Sequence, residues 1–585
     1  MKKTLLNIIQ IILAILWVPA LLETQGFIFV YILVAALAVG IIISRIVKKK
    51  SIKDGKHIMA SCITGALFSG AVMLANYGAA GALVHNKFLI LALWGITLLG
   101  GFVVFGNIAF WITNAADTFQ WKRVEHKVKP GAMLFIGAGV LILVYGIIFF
   151  LVYYPGVLTP DSTNQMKQIL TGEYVNDNPI AHTLLIQMCY QIGMAIWNDI
   201  NSAVAVYGVF QIICMGFCFG YVFMTFQQMK LSYKISVPAL IFMAIMPYHL
   251  LYSFSMLKDV LWSAACVMMI TAAFRLLKNI GSAVPNYIVL AIGALGMCVL
   301  RHNGLIAYMI TFVIAIFVFG KKLFKATITL AVILAAALII RYPILGSLGI
   351  NNSDTIELLA IPAQQIARVI VDGGELTEEQ EAELSKIVDL NKVAETYKWY
   401  IADDIKNLVR ETDNQEYIAE NKFKFAKLYI EIGLQHPFSY IKAWVDGTKG
   451  YWDSGTHWYR WTSMNDNDWG LERTVVSEPL EEAVEGYMDA FNNVFVLQPF
   501  ISMGLFTWIY VMLLVAGITS KKKELLVVVP VVAVVFTLMI GTPVWNEMRY
   551  AYPIFLCLPI SVAAMFYERQ PRSGKARKNI PVQAK

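Results

Sequence analysis

The sequence predicts an all-α polytopic membrane protein, and three observations carry that prediction. Of the 585 residues, 58% are hydrophobic and only 15% are charged. Mean hydropathy is +0.62, which is more apolar surface than a water-soluble fold hides. The apolar residues also fall into runs near the ~20 residues that a helix needs to cross a bilayer.

The net charge of +8 does not point to nucleic acid. Residues 351–495 hold 27 acidic and 13 basic side chains, so the positive excess lies elsewhere, in short loops between apolar runs. There it sets orientation. All seven cysteines (62, 189, 214, 218, 266, 298 and 557) sit in apolar stretches. The large polar segment has none, which excludes a disulfide framework. Cys214 and Cys218 share a helix face, but no His or carboxylate accompanies them at ligand spacing, and they read as small core residues.

Taken in chain order, Met1-Lys2-Lys3 and the apolar run after them form a retained first helix, since no small-residue cleavage site follows. About fourteen spans are expected: 4–22, 26–44, 57–75, 88–112, 132–153, 203–226, 235–254, 260–277, 284–300, 305–319, 324–342, 496–519, 525–543 and 551–567. The basic clusters test this register. Lys2 and Lys3, Arg45 to Lys56, Lys122 to Lys129, Lys230 and Lys234, Arg275 and Lys278, Lys321 to Lys325, Lys521 to Lys523 and Arg569 to Lys578 all fall on one side. The positive-inside rule makes that side the cytoplasm, with both termini in it. Residues 180–197 are long enough to span, but counting them would invert everything downstream. They are expected to lie as a juxtamembrane helix on the outer surface.

Five units follow. Residues 1–131 carry four N-terminal spans. Residues 132–342 form a transmembrane core with a first outer loop at 154–202. Residues 343–495 form an acidic, mainly helical extracytoplasmic domain. Three C-terminal spans occupy 496–567, and a basic cytoplasmic tail covers 568–585. In the outer domain, Thr377 to Gln380 is a capping-box pattern opening a helix at 378–390. A second helix is expected at 414–434, and Ser477 begins a third.

The ionisable residues at the outer ends of spans are the candidate site. Thr159-Pro160-Asp161-Ser162 follows the fifth span. Asn176-Asp177-Asn178-Pro179-Ile180-Ala181-His182 opens the juxtamembrane helix. Leu257-Lys258-Asp259 and Arg301-His302-Asn303-Gly304 lie in very short outer loops. Arg341, Gln364-Gln365 and Asn546-Glu547-Met548-Arg549-Tyr550 come later. Each has a bland reading. Asp161 can cap a helix over 162–170, Lys258 and Asp259 can form a neutral boundary pair, and Arg301 and Arg549 can anchor at the interface. His182 alone reads as a satisfied interfacial histidine, and the tryptophans of 444–469 as a belt or a domain core. Two acids and two arginines gathered on the face where positive charge is otherwise avoided are harder to explain that way.

Outside the cytoplasm no nucleotide-sugar pool exists, so an activated group arrives on a membrane lipid. Its phosphate needs cations, and arginine supplies charge-assisted, often bidentate bonds. A carboxylate then takes a proton from the acceptor. Asp161 and Asp259 suit the carboxylate role. Arg301, Arg549 and Lys258 suit the phosphate clamp.

The order of Thr-Pro-Asp-Ser in the first large outer loop, followed by Asn-Pro-Ile-Ala-His entering a juxtamembrane helix, resembles the GT-C superfamily of membrane glycosyltransferases. Its members include protein O-mannosyltransferases and the aminoarabinose transferase of lipid A. The whole motif set resembles more closely an uncharacterised bacterial family of polytopic proteins, from about Leu134 to Tyr567. The resemblance implies a GT-C-like bundle and Asp161 as the base, with Lys258-Asp259 like the second acidic site. It implies substrate binding by Asn178, His182, Lys258, Arg301, His302, Asn303, Gln364, Gln365, Arg549 and Tyr550. The expected partners are a polyprenyl-phosphate sugar donor, a glycan, lipid or protein acceptor, and the bilayer. Asp-Ser stands where many GT-C enzymes carry two acids, so the divalent cation some of them use is left open. A transporter or lipid flippase and a polymerase of lipid-linked glycans are the alternatives. A transporter predicts charges near the bilayer midplane and inverted repeats, neither of which the sequence displays.

Overall fold

The computed structural model describes residues 2–21, 27–47, 55–350, 355–412, 414–454, 459–542 and 544–568. The basic tail expected after residue 568 lies outside them. The described residues are helical throughout, with no β-pairing beyond four isolated bridges.

Helices α1 (Lys2–Trp17), α2 (Ile28–Val47), α3 (Gly55–Ala75) and α4 (Lys87–Thr118) form the N-terminal group. Trp17 meets Tyr31 and Phe105 edge to face, each at 5.5 Å between ring centroids, as the ring quadrupoles favour. The core continues through α5 (Pro130–Val152), α6 (Pro160–Thr171), α7 (Ile180–Trp197) and α8 (Ile200–Gln228). It then runs through α9 (Tyr233–Ile245), α10 (Pro247–Phe254), α11 (Lys258–Lys278), α12 (Ala283–Val299), α13 (His302–Phe319) and α14 (Phe324–Ile339).

Among the described residues, nine helices are long and apolar enough to cross a membrane, or ten if the bent pair α9–α10 is one span. This is a multi-span membrane protein; the nine counts the 46-residue run His302–Ser347, which holds two of the fourteen expected spans, as one. The difference has local causes. Helix α9 meets α10 at a 50° bend, next to Pro247. Helix α12 and the later helices at Met503–Thr519 and Val529–Gly541 are apolar but shorter. The final expected span breaks into Pro553–Leu556 and Leu558–Met565, each with a proline in its first turn. Helix α7 qualifies as a span by length and composition, against the surface placement expected from charge. Its Leu184, Met188, Ile192 and Ile196 form an exposed apolar stripe at i, i+4 spacing, while His182 and Thr183 turn inward.

The acidic segment includes α15 (Ala360–Val371), α16 (Lys422–Gln435), α17 (Pro437–Thr448) and α18 (Glu478–Asn493), with shorter helices between α15 and α16. Ile366, Val369, Leu384, Val393, Ile405, Leu408 and Ile432 give part of it a separate apolar core. The capping box at Thr377 and Gln380 is present, and its helix stops at Leu384 rather than 390. The helix expected over 414–434 is interrupted at Asn421.

Helices α19 (Met503–Thr519) and α20 (Val529–Gly541) return the chain to the core. The 449–453 segment is wedged between α19 and residues 545–546. A side chain on Gly504 would collide with the Asp453 carbonyl, and one on Gly450 with the Trp545 carbonyl. Only glycine lets these backbones come so close. Trp444 donates to the Met539 carbonyl at 2.8 Å and stacks on Trp452 at 5.6 Å, so these tryptophans are packing residues.

Candidate functional site

Two short backbone contacts bring the site together. Val157 N–H donates to the Phe254 carbonyl at 2.9 Å, and Met256 N–H donates to the Val157 carbonyl at 2.9 Å. This parallel bridge lays the start of the 154–161 loop along the start of α11. Thr159 then caps α6: its backbone N–H donates to Ser162 Oγ at 3.2 Å, and Ser162 Oγ donates to the Met256 carbonyl. Asp161 sits in the first turn of α6, so the cap is Thr159 and the Asp161 carboxylate is available for other partners.

Those partners are cations. Lys258 Nζ lies 2.9 Å and Arg549 Nη1 2.7 Å from the same oxygen, Asp161 Oδ2. Lys258 also donates to Asn178 Oδ1 at 2.5 Å. Burial pushes the Asp161 carboxyl up, but the Lys258 and Arg549 charges reverse that and hold it well below the usual carboxylate range. The Asp161 side chain is still 32% exposed, so the cluster is open to a ligand.

Lys258 and Asp259 point to different places, as neighbours on a helix do. Asp259 is fully buried and ion-paired with Arg301. The Arg301 guanidinium lies 4.3 Å over the Tyr550 ring and 5.3 Å over the Trp262 ring. Arg549 faces the same Tyr550 ring at 4.9 Å. One tyrosine ring is therefore shared by two arginines, whose cations its electron-rich face attracts. Arg301 Nε donates to Asn303 Oδ1 at 2.7 Å, and Asn303 Nδ2 donates to Thr537 Oγ1 at 3.0 Å. His302 Nε2 meets the Asn176 carbonyl at 2.9 Å, and Arg341 donates to the His302 carbonyl at 3.3 Å.

The structure thus brings Asp161, Asn178, Lys258, Arg549 and Tyr550 into one cluster, with the Asp259–Arg301 pair packed against it through Tyr550. Three of the expected site residues turn their side chains to other protein partners. His182 is buried between Gln165 Oε1 at 3.1 Å and the Tyr207 hydroxyl at 2.7 Å. Tyr207 donates to Gln211, whose amide holds the Tyr252, Ser253 and Ser255 carbonyls. His182 is therefore a scaffold for the loop before Lys258. Gln364 donates to the Lys398 and Ile401 carbonyls, while Gln365 donates to the Tyr440 carbonyl and accepts from the Tyr429 hydroxyl, all inside the acidic domain. The loop that Gln364 bonds presents the Tyr400 carbonyl to Trp545 N–H at 3.0 Å, shortly before Arg549.

Sequence reasoning missed one part of the site. A cavity of about 190 Å³ is lined by Thr159, Leu257, Tyr459, Trp461, Glu547 and Arg549, among others. The 459–476 segment reaches it by pairing with the Asp161 loop: Asn465 N–H donates to the Leu158 carbonyl at 3.0 Å, and Thr474 N–H to the Tyr154 carbonyl at 2.8 Å. The only signal for Tyr459 and Trp461 was aromatic density, which core tryptophans share.

The donor set does not suit a divalent cation. Among the described residues no three His, Cys, Asp or Glu side chains converge as metal ligands, and Asp161 already binds two protein cations.

Comparison with curated proteins gives no match, and neither does comparison with solved structures. A family match covers residues 140–579 and so includes every residue of the Asp161 cluster and its cavity while leaving out the N-terminal helical group. By that match over most of its length, the chain belongs to the family of unknown function DUF6020.

Proposed function

We propose that this protein is a membrane glycosyltransferase that moves a sugar from a polyprenyl-phosphate donor to a cell-envelope acceptor on the outer face of the cytoplasmic membrane. The observation that carries the reading is the convergence of Lys258 and Arg549 on one partly exposed carboxylate, beside a cavity with aromatic and acidic walls. The donor arrives with its leaving group ready made, so the enzyme has two tasks. It must hold the departing phosphate and accept the acceptor's proton.

Lys258 and Arg549 hold the phosphate, and Arg301 adds positive potential through Tyr550. Asp259 keeps Arg301 in place from the buried side. A carboxylate of the cluster takes the proton, and Asp161, at its centre, is the one the sequence nominates. The outward placement rests on the loop charges, with the basic clusters in the cytoplasm.

The test is donor consumption in proteoliposomes holding the full chain, with a panel of polyprenyl-phosphate sugars and a cell-envelope extract as acceptor. Release of polyprenyl phosphate that depends on Arg549 supports the reading. If no donor is consumed while a labelled glycolipid crosses the bilayer, the protein is a transporter and this reading is wrong.

A further inference from the structure

Two carboxylates flank the Arg549 guanidinium, and their surroundings differ. Asp161 Oδ2 takes Arg549 Nη1 at 2.7 Å and Lys258 Nζ at 2.9 Å, so it is engaged by two charged donors. Glu547 lies 3.5 Å from Arg549 Nε, a looser contact. Glu547 is also among the cavity-lining side chains, where Asp161 is not. The Glu547 side chain is 23% exposed, so it is held but reachable.

The cavity around it has the makings of a sugar subsite. Tyr459 and Trp461 bring aromatic side chains to its lining, and Arg460 and Arg549 bring cationic ones. At about 190 Å³ it holds roughly six water volumes. That is below the ~300–1,000 Å³ of drug-sized ligand pockets and on the scale of a single sugar. Arg460 is kept at its wall by Glu485 at 2.9 Å and Asp489 at 2.5 Å on α18.

We infer that Glu547 is the catalytic base and that Asp161 is a positioning residue, which aims Arg549 and Lys258 at the donor phosphate. This rests on the glycosyltransferase reading. The acceptor oxygen forms its bond to the anomeric carbon as the anomeric carbon–phosphate oxygen bond breaks. The electron pair leaves on the phosphate, beside Arg549 and Lys258, and the acceptor's proton goes to Glu547. Asp161 is poorly suited to that last step, because a carboxylate ion-paired with two cations is a weak base.

The experiment is steady-state transfer in the same proteoliposomes for wild type, Glu547→Gln, Glu547→Asp and Asp161→Asn. It is paired with binding of labelled polyprenyl phosphate and with thermal unfolding to show that each variant folds. Glu547→Gln is expected to lower kcat by about 10²–10⁴ with polyprenyl phosphate binding kept within about threefold. Glu547→Asp restores part of the rate. Asp161→Asn is expected to weaken polyprenyl phosphate binding and to raise the KM for donor at least ~10-fold, the factor of about 1.4 kcal/mol. If Glu547→Gln keeps more than about a tenth of wild-type kcat, the assignment is wrong, since a general base contributes at least ~10². If the pattern is exchanged between the two residues, Asp161 is the base. If wild type consumes no donor at all, the glycosyltransferase reading fails and takes this inference with it.

Discussion

Arg549 lies 388 residues after Asp161 in the chain, yet it donates to the Asp161 carboxylate at 2.7 Å. With Lys258 on the same oxygen, the two ends of the family-matched region close on one point. The Asp161 pair stays ionised far into acid: the cations hold its carboxyl below the usual range despite burial. The stability this adds is present at neutral pH and is lost only as pH falls through that depressed value.

Arg549→Ala is expected to lower transfer by about 10²–10³, the loss typical of removing one preorganised donor aimed at developing charge. Arg549→Lys recovers only part of it. A lysine has the charge but cannot reach Asp161 and Glu547 with separate nitrogens. Initial rates of polyprenyl phosphate release measure both.

The Asp259–Arg301 pair is buried on both sides. Removing one partner, by Asp259→Asn or Arg301→Ala, leaves the other charge without compensation and is expected to cost about 3–5 kcal/mol. Replacing both together with apolar side chains costs less. Thermal unfolding in detergent reads the difference, and equal loss from single and double variants would contradict the pairing.

His182→Ala removes the ring nitrogens that meet Gln165 Oε1 and the Tyr207 hydroxyl. Leaving such groups buried and unpaired costs about 1–3 kcal/mol. The expected result is a lower melting temperature with turnover per folded molecule within a few-fold of wild type. Loss of turnover without loss of stability would return His182 to the substrate pocket.

Asp453 is buried and accepts from Tyr31 at 2.9 Å on both oxygens, with Asn76 at 3.3 Å. It ties the N-terminal helices to the segment that leads to Trp461. Burial pushes its carboxyl up to about 6, only partly offset by those hydrogen bonds. A raised acid binds more protons folded than unfolded, so this group's contribution is greatest below about pH 4 and falls as pH rises through about 6. The difference in melting temperature between wild type and Asp453→Asn, followed from pH 7 to pH 5, is expected to move in favour of wild type. A constant difference would show that Asp453 does not titrate there.

The membrane class, most helix positions and the Asp161–Lys258–Arg549 set were legible in the sequence, because hydropathy and charge act locally and each is readable from a window of neighbours. The same windows misjudged span integrity at the α9–α10 bend and in the last helices, where proline decides. They could not show which partners Gln364, Gln365 and His182 take, because polar residues near span ends look alike until their partners are known. They passed over Tyr459 and Trp461, which differ from the core tryptophans only in what lies opposite them.

What the sequence determined by itself is the kind of molecule and the inventory of its chemistry: a helical membrane protein with a few ionisable groups at helix ends. Which groups meet was decided by the tertiary structure alone. The 157–255 bridge sets Lys258 beside Asp161, and the glycines at 450 and 504 let the segment before Arg549 close in. Coulomb attraction between such residues weakens with distance and strengthens as water is excluded, so ångström-scale packing assigns the partners.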